Sequence, residues 1–272
     1  MLQDLFGLNG KTALVTGGGT GIGAMIAQGF AGAGARVLIC SRKLEVVEAM
    51  AAQINANGVS GTVEAFAGDV STEAGIEAIV AEVSNRTDML NILVNNAGIT
   101  WGMPLGQFPF KAWEKVMGIN VAGLFHLTQS LLPMLTESAS DTDPARVVNL
   151  GSVMGKRPMG DGAYSYSASK AAVHHLTEIL AKELAGKRVT VNALAPGPFQ
   201  SNMTAFATAS EEQATAVGND VPLGRIGAPS DAQGATIFLC SKAGAYVTGE
   251  IVPIDGGLHV STSGNIFAAA MD

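Results

Sequence analysis

Charge is scarce in this chain. Asp, Glu, Lys and Arg make up only 14% of its 272 residues, against 47% hydrophobic ones. That balance excludes intrinsic disorder, which requires low hydrophobicity and high net charge. The charge present leans acidic, with 16 Lys and Arg against 23 Asp and Glu for a net of −7, so non-specific binding along a nucleic-acid backbone is excluded. Cysteine is rarer still: Cys40 and Cys240 stand alone and far apart. They can build neither a disulfide framework nor a zinc site, and they suit a reducing, cytoplasmic compartment. No run of about 18 uninterrupted apolar residues occurs, so no membrane-spanning helix is expected. The opening MLQDLFGLNGK carries Asp4 and lacks a basic stretch before a long apolar one, so it does not read as a signal peptide. Glycine, by contrast, is plentiful at 34 residues, with no triplet period, and must punctuate turns and close backbone approaches.

Short apolar runs alternate with helix-length stretches along the whole chain. The runs are Thr12–Thr16, Arg36–Cys40, Val63–Ala67, Leu90–Val94, Arg146–Leu150, Val189–Leu194 and Ile251–Ile254. Most are rich in β-branched residues and bounded by Gly, Asn or Asp, as strands buried on both faces should be. The stretches between them, Gly21–Ala33, Lys43–Asn55, Thr72–Asn85, Lys111–Thr136, Tyr164–Ala185 and Pro229–Cys240, have helical length, and Pro133 predicts a kink near the end of the fourth. This alternation predicts one doubly wound α/β domain over 1–272, with a seven-stranded parallel sheet and helices on both faces. It divides into a nucleotide half (7–150) and a catalytic and substrate half (151–260). Residues 201–222 read as a short, mobile helical lid, and 261–272 as a tail without assigned function.

The first strand runs into Thr16-Gly17-Gly18-Gly19-Thr20-Gly21-Ile22-Gly23 and then a helix. Glycines there let the backbone approach a pyrophosphate, while the helix N-terminus offers unpaired N–H groups and a positive dipole end. The second strand closes on Cys40-Ser41-Arg42-Lys43. A carboxylate at that point would accept from the ribose 2′-OH of NAD; Ser41 and Arg42 instead favour the 2′-phosphate of NADP. Asp69 and Val70, and Asn95-Asn96-Ala97-Gly98, lie at further carboxyl strand ends, where ligands bind in open α/β sheets.

Ser152 follows the fifth strand, Tyr166 comes fourteen residues later, and Lys170 one helical turn after that. An ammonium beside a phenol stabilises the phenolate, which predicts a lowered Tyr166 pKa and a better-matched proton donor to a carbonyl oxygen. Tyr164 competes for the role, but its i+4 partner is Ala168. His126, His174, His175 and His259 show no metal-ligand spacing, so no metal is expected and no role is assigned to them. Met103, Met154, Met159 and Met203 are candidates for a flexible apolar substrate pocket.

In TGGGTGIG, NNAG, Asn120, Ser152, Tyr-Ser-Ala-Ser-Lys (166–170) and Ala-Pro-Gly (195–197), the chain resembles the short-chain dehydrogenase/reductase family over about residues 7–260. The resemblance implies a catalytic set of Asn120, Ser152, Tyr166 and Lys170. Lys170 would also bind the nicotinamide ribose, Asn120 would hold a relay water, and Pro196, Gly197 and Phe199 would border the nicotinamide. It further implies NADP(H) and a homotetramer or homodimer. NNAGITWG, WEKVMGINV, PARVVNLGSV and GAYVTGEIVPIDGG resemble 3-oxoacyl reductases of the rhamnolipid-pathway type. The reaction so implied is NADPH-dependent reduction of a 3-oxoacyl thioester.

An acidic carrier protein would need a basic docking surface. The loop before the fifth strand carries Glu137, Asp141 and Asp143, and the basic pairs near the expected mouth are Lys187-Arg188 and Lys156-Arg157. A CoA thioester or free ketone is therefore expected over a carrier-bound substrate. Two other readings stay open: a reductase of cyclic, steroid-like or xenobiotic ketones, and an NADP-sensing regulatory protein with vestigial activity.

Overall fold

The computed structural model describes residues 1–160 and 162–261; all but the first residue of the predicted tail lies outside them. Its strands are β1 (Thr12–Thr16), β2 (Arg36–Ser41), β3 (Thr62–Ala67), β4 (Ile92–Asn95), β5 (Ala145–Leu150), β6 (Val189–Pro196) and β7 (Ile251–Ile254). They form one sheet in the order β3-β2-β1-β4-β5-β6-β7, with every pair parallel. The doubly wound expectation thus holds, with all seven strands near their predicted places.

Before β1 lies a short helix the sequence pattern did not suggest, α1 (Leu2–Phe6). The others are α2 (Gly21–Gly32), α3 (Leu44–Ala56), α4 (Glu73–Ser84), α5 (Phe110–Met117), α6 (Leu124–Ser138), α7 (Tyr164–Leu184), α8 (Ala205–Thr208), α9 (Glu211–Asn219) and α10 (Pro229–Cys240). Alternate strand residues face opposite layers, because side chains of a strand point to opposite faces in turn. Ala13 and Val15 of β1 pack with Ile26 and Phe30 of α2 and Ile54 of α3. Leu14, between them, packs with Ile79 of α4, Leu131 of α6 and Leu184 of α7.

One predicted element differs. The stretch expected as a single helix over Lys111–Thr136 is α5 and α6 separated by a π-helical segment, Gly118–Gly123. A π segment carries an extra residue in its turn, and the apolar pattern runs through it without a break. Pro133 does not end α6, which continues to Ser138. The segment expected as a lid is helical, as α8 and α9.

Candidate active site

The strand order reverses between β1 and β4, and there the site is built. Gly17, directly after β1, has φ +66°, and a Cβ on it would stand 2.9 Å from the Asn96 Nδ2. Asn96 fixes this approach by donating from its amide to the carbonyls of Thr16 (2.8 Å) and Gly17 (3.1 Å). The Thr16 hydroxyl in turn accepts the main-chain N–H groups of Asn96 and Ala97, at 3.1 and 3.0 Å. The loops after β1 and β4 are therefore fastened together before any ligand arrives. Helix α2 then begins with no side-chain cap on Thr20 and no acidic residue in its first turn. Its N-terminal N–H groups are left for an outside anion.

A cleft of about 480 Å³ opens over this loop, and Gly17, Thr20, Gly21 and Ile22 form one wall. Ser152, Tyr166 and Lys170 line the same cleft, as do Asn96, Ala97 and Gly98. Pro196, Gly197 and Phe199 also line it, together with Ser201, Met203 and Thr204 from the stretch before α8. A smaller recess of about 160 Å³ shares the Gly17, Ala97 and Gly98 wall and extends to Ser41, Arg42, Asp69 and Val70. Two predicted cofactor residues stand behind these walls. A Cβ on Gly19 would meet Val46 and Val47 of α3 at 3.0 Å, and one on Gly23 would lie 2.4 Å from the Gly17 carbonyl oxygen. Both let the helices close on the loop.

Lys170 is buried, its ammonium 5.6 Å from the centre of the Tyr166 ring and donating to the Leu150 carbonyl. Burial lowers its pKa from 10.5 to about 8, with no carboxylate partner among the described residues. Burial also raises the Tyr166 pKa, and a hydrogen bond with Ser152 only partly opposes it. The shift runs opposite to the lowering that the i, i+4 cation predicted: desolvation of the phenolate outweighs an ammonium held at ring distance.

Asn120 falls within the π segment and is buried. Its amide donates to the Ile99 carbonyl (2.9 Å) and the Ser169 hydroxyl (3.0 Å), while Oδ1 accepts from the Ile99 N–H (2.9 Å). Its side chain thereby joins the loop after β4 to helix α7, which carries Tyr166 and Lys170. Ser169 was missed in the sequence as a supporting residue, although it sits within the Tyr-Ser-Ala-Ser-Lys motif.

Tyr164 stacks edge-on against Phe108, 5.7 Å away, and does not line the cleft. Of the four candidate methionines only Met203 lines it. Met154 instead packs near Val153, Val221 and Leu258.

A parallel sheet with a glycine loop at its switch point, facing a Ser–Tyr–Lys cleft, is the architecture of a nucleotide-dependent oxidoreductase. The chain belongs to the short chain dehydrogenase family, whose model matches residues 11–212. It is 46% identical over 259 residues to the rhamnolipids biosynthesis 3-oxoacyl-[acyl-carrier-protein] reductase of Pseudomonas aeruginosa, covering 95% of this chain and 100% of that protein. The 3-oxoacyl-[acyl-carrier-protein] reductase FabG of Aquifex aeolicus is 37% identical over 251 residues, covering 92% and 98% respectively. Among solved structures, the Pseudomonas aeruginosa RhlG/NADP active-site complex superposes with a TM-score of 0.90 at 46% identity, covering 94% of this chain and 99% of that one.

Proposed function

We propose that the protein reduces a 3-oxoacyl thioester to the 3-hydroxyacyl compound with NADPH. The observation that carries this reading is the convergence of Ser152, Tyr166 and Lys170 on one cleft with the glycine loop; the full-length similarity to 3-oxoacyl reductases supports the substrate class.

The residues present fit NADP. The uncapped α2 N-terminus suits the pyrophosphate, and the recess at the end of β2 offers Ser41 and the exposed Arg42 where NAD would call for a carboxylate. When bound, NADPH supplies the hydride that reaches the carbonyl carbon. Ser152 holds the carbonyl oxygen, and Tyr166 donates its phenolic proton to that oxygen as the C=O bond becomes C–O–H. Its raised pKa keeps that proton in place at neutral pH. Lys170 stabilises the phenolate left behind, and Asn120 holds the π segment against α7.

The protein is also proposed to act as a cytoplasmic homo-oligomer, a tetramer or a dimer. Phe110, Trp113 and Ile179 on α5 and α7 are exposed apolar side chains that a second copy would cover, and both thiols are buried. Light scattering on the purified protein tests this.

The decisive assay is NADPH oxidation with a short 3-oxoacyl-CoA beside a panel of cyclic ketones. Turnover on the thioester, reduced about a hundredfold or more by Tyr166→Phe, is the expected result. Turnover on ring ketones alone would replace the thioester reading.

A further inference from the structure

The loop after β5 reads Gly151-Ser152-Val153-Met154-Gly155, and a histidine is fitted into it. His174 lies on α7, one turn beyond Lys170, and only 7% of it is exposed. The main-chain N–H of Ser152 donates to its Nε2 at 3.4 Å. A Cβ on Gly151 would stand 2.2 Å from that nitrogen, and one on Gly155 would stand 2.7 Å from Cε1 and 2.9 Å from Nδ1. No larger residue fits at either position without displacing the ring, so the loop is shaped to the imidazole. Behind the ring lies an outer cavity of about 380 Å³, bordered by Lys156, His175, Glu178 and Glu250. His174 itself lines that cavity while its Nε2 meets the Ser152 main chain.

We propose that His174 is a positioning residue for carbonyl reduction: its Nε2 anchors the Ser152 main chain and so keeps the serine hydroxyl aimed into the cleft. The inference rests on the role given to Ser152 above. Because Nε2 accepts, the ring carries its one proton on Nδ1; an imidazolium would face the Ser152 N–H donor to donor. The surroundings resist that charge. Burial, then the Lys156 and Lys170 ammoniums, push the His174 pKa down to about 4, with Glu178 opposing them. His175 and Glu250 complete the titratable groups around the outer cavity.

The test uses two variants. His174→Leu keeps most of the volume and removes the acceptor, while His174→Gln places an amide oxygen near the Nε2 position. The expected result is a loss in kcat of about tenfold for the Leu variant, with an unchanged Kd for NADPH and most of the rate restored in the Gln variant. In a Ser152→Ala background His174→Leu should cost nothing further. The ¹⁵N shifts of the unliganded protein should show Nε2 unprotonated from about pH 5 to 8. An active wild type with an equally active Leu variant, or an equal loss in the Ser152→Ala background, overturns this inference alone. A wild type inactive on every ketone tested overturns the reductase reading and this inference with it.

Discussion

At the residue scale, Tyr166 and Lys170 were legible because one helical turn separates them and a helix face is a sequence property. The sign of the Tyr166 shift was not, because burial is set by neighbours distant in sequence. Lys170 gives a pH signature. Its ammonium, with a pKa near 8, loses its proton as pH rises through that value. The kcat/KM for NADPH, which reports free-enzyme groups, should therefore fall on the alkaline side with an apparent pKa of about 8. The same shift affects stability in the opposite sense. Between about 8 and 10.5 the unfolded chain holds the lysine proton longer than the folded one, so this group's contribution makes stability rise with pH across that window. Arg42 is tested separately. Arg42→Ala should raise the KM for NADPH by about tenfold while leaving that for NADH almost unchanged, as removal of a phosphate contact predicts; equal effects on the two would remove the 2′-phosphate assignment.

At the scale of elements, the strands were readable because β-branched runs between turn residues have few other uses. The π segment was hidden, since its one mark is a five-residue step between buried Ile119 and Leu124, masked by the apolar Val121 and Ala122 between them. It brings Asn120 to the loop after β4 and to Ser169 at once. A second polar connection lies deeper and ties two strands to two helices packed on one face of the sheet. The Asn95 amide donates to Thr128 of α6 (2.9 Å) and to Asn149 of β5 (3.0 Å), and Asn149 donates to Thr177 of α7 (3.0 Å). All four residues are buried. Asn149→Leu, which keeps the volume, would strand the Asn95 donor and the Thr177 acceptor. It should destabilise the protein by about 2–3 kcal/mol in chemical denaturation, and Asn149→Asp should cost at least as much, because it puts a carboxylate at a fully buried position.

For the whole molecule, the acidic loop before the fifth strand matters less to substrate choice than its composition suggested. Asp141 pairs with Arg188, and Asp143 with Lys11 and Arg146. The loop precedes β5 and Arg188 precedes β6, so both lie at the amino ends of the strands, across the sheet from Ser152. That corrects the expected position of Lys187-Arg188 near the mouth. Lys156-Arg157 follows Ser152 at the carboxyl ends of the strands, with Lys156 exposed on the rim of the outer cavity that His174 also lines. Carrier-bound and CoA thioesters should accordingly show kcat/KM values within about tenfold at physiological salt, and Lys156→Glu should slow the carrier-bound substrate selectively. Equal slowing of both would remove the docking role.

A seven-stranded sheet also has two rims at which it could go on growing, and each is guarded. On β3 the outermost strand carries Glu64, braced by Arg36 and Arg86. Along β7 the carbonyls of Glu250 and Ile254 accept from the N–H groups of Ala193 and Gly197, so the intervening odd-numbered residues turn their backbone outward, and one of them is Pro253, which has no N–H to give. A stray strand that tried to extend the sheet would find a missing rung there and a clamped charge at the other rim. The fold can thus keep an apolar sheet in a crowded cell without templating a fibre.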